Sequence, residues 1–204
     1  MSVEQVYDSG VMTTTLNRIR ALGPCRDGWA KLLRHLGKTG PDDEPLPFSV
    51  IVESNGLDDA LYCLRAEPRY ERKVRLYAVW CARRVEYLNT DPRVKAANDV
   101  SKRYANGRAT AEELDVAAAA AWAAEAEAEA GAAQRSVAWA AAAARAAAEA
   151  GEAWAAVGAA ATAAQRSVAW AAVGAAEAAA AMEAEREAQT TEFLRIANGG
   201  DYPS

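Results

Sequence analysis

The side chains of this chain that could do chemistry are few, and none of them forms a recognisable catalytic set. His35 is the one histidine, placed at the end of a helical pattern, where a protonated imidazole would suit the helix dipole. No nucleophile or carboxylate partner for it can be read from the spacing. Asp42, Asp43 and Glu44, with Glu53, Asp58 and Asp59, are acids of the kind that do acid–base work or hold a divalent cation. They lack calcium-loop spacing, and Asp58 and Asp59 more simply favour the first turn of a helix. Cys25, Cys63 and Cys81 are odd in number and show no metal-type spacing. The expectation is therefore a protein that is not an enzyme and takes no cofactor and no metal.

Two other groups of residues could bind rather than react. Residues 65–108 hold 12 basic and 5 acidic side chains, interleaved with Tyr70, Tyr77, Trp80, Tyr87 and Tyr104. That mixture can bind nucleic acid, but it can equally pair with acids elsewhere in the chain. Residues 109–204 supply them, with 14 acidic and 5 basic side chains. Glu125, Glu127 and Glu129 in that half are too sparse to imitate a phosphate backbone, so they read as solubilising helix faces.

The second group lies in a repeat. Ala-Ala-Gln-Arg-Ser-Val-Ala-Trp-Ala-Ala occurs at 132–141 and again at 163–172, and Ala-Trp-Ala-Ala-Val-Gly-Ala-Ala at 153–160 and 169–176. Arg135 and Arg166 therefore recur at matching places, as do Trp139 and Trp170. Exposed Arg and Trp are natural interface anchors, so these four are the candidate partner-binding residues. The competing expectation is that the Trp side chains hold helices together.

The elements that must position these groups are helical. Leu16 to Leu22 is a short helix closed by Gly23-Pro24. Arg26 to Leu36 places Trp29, Leu32, Leu33 and Leu36 on one face. Residues 40–47 form a loop with three prolines and three acids. Phe48 to Val52 could be a buried strand, but no second strand is available to pair with it, so a short helix fits better. Asn55-Gly56 ends that helix, and Leu57 to Ala66 turns Leu57, Leu61 and Leu64 inward. Arg72 to Leu88 is the strongest helix, with Leu76, Val79, Trp80, Arg83 and Tyr87 on one side. Asp91-Pro92 caps and opens a helix running to Ala105. Thr110-Ala-Glu-Glu113 is a capping box that opens the Ala-rich region.

Between Val116 and Phe193 there is no Leu, Ile or Phe. As one straight helix, 110–197 would be roughly 130 Å long. Trp122, Trp139, Trp154 and Trp170 share no single seam, and Gly131, Gly151, Gly158 and Gly174 offer reversals or kinks. Folded-back helices are expected, approaching closely through Ala, with Trp supplying most of the burial. The predicted class is all-α: a leader at 1–12, a helical unit at 13–108, an Ala/Trp-rich repetitive unit at 109–198 and a tail at 199–204. Trp29, Leu33, Leu61, Leu64, Leu76, Val79 and Trp80 are the predicted core. Reduced core thiols, together with the lack of an apolar signal segment at 1–20, point to the cytoplasm. No uncharged apolar run reaches the ~18 residues of a membrane span.

The N-terminal motifs also carry a resemblance. Gly28-Trp-Ala-Lys-Leu-Leu, Leu36-Gly-Lys-Thr, Asp42-Asp-Glu-Pro-Leu, Leu57-Asp-Asp-Ala-Leu-Tyr-Cys-Leu-Arg-Ala and Arg75-Leu-Tyr-Ala-Val-Trp-Cys-Ala-Arg come in this order. Asp91-Pro-Arg, Tyr104-Ala-Asn-Gly and Ala109-Thr-Ala-Glu-Glu-Leu follow, before the Ala/Trp tail. The layout resembles small bacterial and prophage all-α proteins described as immunity proteins, over roughly residues 13–200. The resemblance implies inhibition by binding: neutralising a toxin, or blocking a host defence complex such as a CRISPR effector. It supplies no catalytic or ligand residue. The alternatives are a helical scaffold that self-associates through its Ala/Trp faces, and a nucleic-acid binder using 65–108.

Overall fold

A computed structural model describes residues 10–130, 135–148, 153–172 and 175–202. The fold is all-α, with ten α-helices and one two-stranded sheet among those residues. The chain divides into two compact units, one of residues 1–70 with 190–203 and one of residues 71–189. The composition change at 108/109 is thus not where the units divide. The basic helices belong with the Ala-rich ones, and the last turns of the chain belong with the first.

The first unit contains α1 (Leu16–Ala21), α2 (Arg26–His35), α3 (Phe48–Asn55) and α4 (Leu57–Cys63). Thr15 caps α1 through its hydroxyl, which accepts from the Arg18 N–H at 3.2 Å. Phe48–Asn55 is helical, as the lack of a strand partner implied. A minimal pairing does precede it: β1 (Thr13–Thr14) and β2 (Leu46–Pro47) are antiparallel, with Thr13 opposite Pro47. Two-residue segments carry no periodic signal, so this pair was invisible to pattern reading. Gly56 joins α3 to α4 at φ 95°, a backbone conformation that a side chain would strain.

Met12 is fully buried. Its N–H donates to the Ala197 carbonyl at 2.7 Å and its carbonyl accepts from Phe48 at 3.0 Å, while Val11 bridges Asn198. The packed framework therefore includes Val11 and Met12, which composition assigned to a leader; residues 1–9 of that leader lie outside the described residues. Leu16, Ile19, Phe48, Ile51, Leu61 and Leu64 form the core with Phe193 and Ile196 from the chain's end.

The second unit contains α5 (Glu71–Arg84), α6 (Pro92–Ala105), α7 (Ala111–Ala130), α8 (Arg135–Ala148) and α9 (Ala153–Ala171). It also takes α10 (Ala175–Ala197) as far as Gln189. Asp91 caps α6 and Pro92 is its first residue. The Thr110 capping box forms: Glu113 N–H donates to Thr110 Oγ1 at 3.2 Å, and Thr110 N–H to Glu113 Oε2 at 2.9 Å. The Ala-rich region is folded back. α8 packs against both α7 and α9, and α9 also packs on α5. Gly131, Gly151 and Gly174 lie outside the described residues, and Gly158 lies inside α9 and ends nothing.

Three expected core residues are only half-buried: Trp29, Leu33 and Trp80. The two indoles each have a guanidinium on one face, Arg20 at 5.5 Å from Trp29 and Arg84 at 5.0 Å from Trp80, so there long polar side chains cover what the core does not. Tyr87 is exposed, because α5 ends at Arg84 and a 3₁₀ turn over Glu86–Leu88 breaks its register. The predicted Trp-based burial of the tail is also corrected. Ala117, Ala121, Ala124, Ala141, Ala144 and Ala148 pack around Leu114, Val94 and Ala97. Methyl-sized side chains let the helices come close enough that a Trp would not fit between them.

Polar groups finish the second unit. Glu185 is buried, and Arg84 donates to both its oxygens through Nε at 3.0 and 2.8 Å. Gln189 donates to Glu185 and to the Ala161 carbonyl, both at 3.1 Å, and accepts from Gln165 at 2.7 Å. The buried Tyr77 hydroxyl donates to the Gln189 carbonyl at 2.9 Å. Arg84→Ala leaves this carboxylate with one amide donor. The expected cost is about 1–3 kcal/mol, read as a lowered urea midpoint. An unchanged midpoint would show that the network does not support the packing.

Candidate interaction surfaces

The repeat residues are partly brought together. Trp139 on α8 is half-buried and Arg166 on α9 is exposed, and the guanidinium lies 4.6 Å from the centre of the indole. The Arg of the second repeat copy thus sits on the Trp of the first. The stacking contributes about 0.5–1 kcal/mol at an exposed site and presents a flat cationic face. The backbones of Arg135 and Trp170 fall in α8 and α9, but their side chains lie outside the described residues.

The most exposed tryptophan among the described residues is a different one. Trp122 is 61% exposed and Val116, on the same helix, 71%. Leu114, Ala117, Ala121 and Ala124 face inward from α7. At 100° per residue, Trp122, Ala119, Ala126, Ala123 and Val116 occupy an arc of about 120° on the opposite side. Glu112 and Asp115 are exposed beside them. The Thr110 side chain, hydrogen-bonded to Glu112, holds its carboxyl below the usual range. The outer face of α7 is therefore an apolar strip from Val116 to Ala126, with an indole at one edge and, within the same arc at its N-terminal end, the carboxylates of Glu112 and Asp115.

Spacing alone does not give this strip: Trp122, eight residues after Leu114, falls only 80° from it, and it is the burial of Ala117, Ala121 and Ala124 that turns the inward arc away from Trp122. The repeat does not point to Trp122, which lies outside the duplicated decapeptide.

The basic segment is heavily paired. Arg83 meets Asp99 at 2.5 Å, Arg84 meets Glu185 at 2.8 Å, and Arg103 meets Glu113 at 3.2 Å. Arg93 donates to both Asp91 and Glu127 at 2.6 Å. Hydrogen bonds from Arg93 hold the carboxyls of Asp91 and Glu127 below their ordinary range, and those two acids raise Arg93. Arg75 is fully buried, with Glu71 at 3.2 Å and the Tyr104 ring at 5.0 Å. Arg84, Arg93 and Arg103 thus pair with the acidic half of the chain, and Arg75 and Arg83 with acids of the basic segment itself, which lowers the charge left for a phosphate backbone.

The remaining candidates have local roles. His35 is exposed as the last residue of α2. Lys38 binds Asp42 at 2.5 Å and Glu44 at 2.6 Å, and its hydrogen bond holds the Asp42 carboxyl below the usual range. Among the described residues, no three His, Cys, Asp or Glu side chains converge as a metal site, and no helix is long and apolar enough to cross a membrane.

Cys25 is exposed and caps α2, accepting from the Gly28 N–H at 3.3 Å; Cys63 and Cys81 are buried. Burial first, and then the charge of Asp59, push the Cys63 thiol up to about 12. Native protein at pH 8 is expected to release one equivalent of thiolate product with an aromatic disulfide reagent, and three after denaturation. Three fast equivalents in the native state would contradict the packing of α4 and α5. Compared with known proteins, this chain matches no protein-family model, no curated protein and no solved structure.

Proposed function

We propose that this chain is a non-enzymatic inhibitor that acts by binding and blocking a protein partner, in an immunity or phage counter-defence role. The observation that carries the binding part is the outer face of α7, where Trp122 and Val116 stand in solvent over a strip of Ala. A Trp costs little conformational entropy to immobilise and supplies the large contact area typical of interface anchors. The conflict-system part comes from the resemblance of the N-terminal motifs to immunity proteins.

The occupant is a folded protein with an apolar socket for the indole and basic groups at its rim, complementary to Glu112 and Asp115. Nucleic acid suits this face poorly, because its phosphates would meet those carboxylates. A second copy of the same face would bring like charges together. The Arg166–Trp139 stack is a further exposed feature of the same unit and a secondary anchor.

The test is capture from the native host with tagged wild-type chain and with Trp122→Glu as the control bait, followed by reconstitution. A partner lost on the Trp122→Glu bait, whose activity falls to zero at one equivalent of wild type without covalent change, supports the proposal. A partner that is processed or modified by the chain overturns the non-enzymatic part. A higher oligomer in light scattering, dissolved by Trp122→Glu and capturing nothing, replaces it with the scaffold function. Salt-sensitive binding to a duplex replaces it with the nucleic-acid function.

A further inference from the structure

The first unit holds a cleft of about 520 Å³, within the size range of small-molecule sites. Its walls are apolar, with Ile19, Leu32, Ile51 and the half-buried Trp29. Its charged lining residues are Asp58 and Asp59, both in the first turn of α4, and no basic side chain lines it.

Asp59 is fixed in place. Asn55 Nδ2 donates to Asp59 Oδ2 at 2.6 Å and to the Gly28 carbonyl at 2.9 Å, and the Ser54 hydroxyl donates to Asn55 Oδ1 at 2.6 Å. The amide therefore has both its orientation and its donors committed, and it clamps one carboxylate oxygen. Gly28 makes the approach possible. A Cβ there would lie 2.9 Å from Asp59 Oδ2 and 3.1 Å from Cys25 Sγ, inside contact distance. The negative charge is felt at the neighbouring wall, since Asp59 contributes to raising the Cys63 thiol. That thiol therefore adds no charge to the cleft.

We propose that this cleft binds a small organic cation, a protonated amine carried on an aromatic or aliphatic body. The ammonium lies at Asp59, where a charge-assisted hydrogen bond forms to a preorganised acceptor, and the body packs on Leu32, Ile51 and the Trp29 ring. The same chemistry is offered by a free amine and by the lysine side chain of a protein. The site is independent of the outer face of α7.

The experiment uses the full chain and three probes: phenethylammonium, phenylacetate and N-acetyl-lysine methylamide. Binding is read by calorimetry and by protection of Cys25, which lines the cleft and is exposed, against iodoacetamide. An amine is expected to slow Cys25 alkylation severalfold where phenylacetate does not, and this comparison of charge on one ring needs no variant. Tighter binding of phenethylammonium assigns a free amine as the ligand, and tighter binding of the lysine derivative assigns a protein side chain. Asp59→Asn, checked for fold by circular dichroism, is expected to weaken binding at least tenfold. Equal protection by amine and acid, no protection by either amine at about 10 mM, in the weak range of affinities, or unchanged affinity in a folded Asp59→Asn overturns the proposal.

Discussion

Trp122→Glu is expected to weaken capture of the protein partner at least a hundredfold while the chain stays folded. The indole is 61% exposed in the free protein, so its removal takes little from the core. Exposed substitutions away from caps and packed groups change stability by about 0.5 kcal/mol, or one to two degrees in a chain of this size. Glu also suits a helix interior at least as well as Trp does. At an interface the accounting reverses. A central Trp that fills a socket is worth about 2–4 kcal/mol when removed, and a carboxylate forced into that socket adds desolvation. Leu114→Ala, on the opposite face of the same helix, should do the converse: it should cost about 2–5 kcal/mol of stability and leave the affinity of the folded fraction alone. Titration calorimetry beside thermal unfolding separates the two variants. If Trp122→Glu binds as tightly as wild type, the outer face of α7 is not the partner site.

Phe193→Ala carries the largest expected loss of stability. The ring is buried in the first unit, edge-on to Phe48 with centroids 6.4 Å apart, and Phe48 is edge-on to Tyr70 at 6.3 Å. The Tyr70 hydroxyl in turn accepts the Thr13 N–H at 2.9 Å. Truncating a Phe in such a cluster costs about 3–5 kcal/mol, much of the ~5–15 kcal/mol that holds a typical domain together. The unfolding midpoint should fall on the order of 10 °C. Hydrogen exchange at the Met12 amide, bonded to the Ala197 carbonyl, should speed up in parallel. Phe193→Leu, which keeps most of the volume, should recover most of the loss. A midpoint within a degree of wild type for Phe193→Ala would show that the chain's end is not part of the first unit.

The helices were legible because their signals are local. Thr15, Asp91 and Thr110 cap helices where their hydroxyl or carboxylate stands one turn ahead of free N–H groups, and that geometry needs only neighbours in sequence. The pairing of a basic middle with an acidic end was also readable as complementary charge, although which Arg meets which Glu was not. Trp80 and Trp29 misled for a definite reason. A large aromatic at helical spacing marks the apolar side of its own helix, but how far it is covered depends on what packs there, and here that is partly a guanidinium.

What the sequence by itself determined is the all-α class, most helix boundaries of the first 110 residues and the helical nature of the Ala-rich half. Those follow from propensity, capping and period, which act over one or two turns. Only the tertiary structure decided that the chain's end returns to its beginning, that Ala rather than Trp fills the space between the long helices, and that Trp122 faces solvent. It also made the cleft, by bringing Gly28, Asn55 and Asp59 from three helices to one point. None of these carries a local signal, because each depends on which faces meet, and a face rich in Ala fits many partners almost equally well. The choice among them was made by the few groups that do not fit everywhere: Phe193 against Phe48, Leu114 among the alanines, and the Glu185 carboxylate that had to find Arg84.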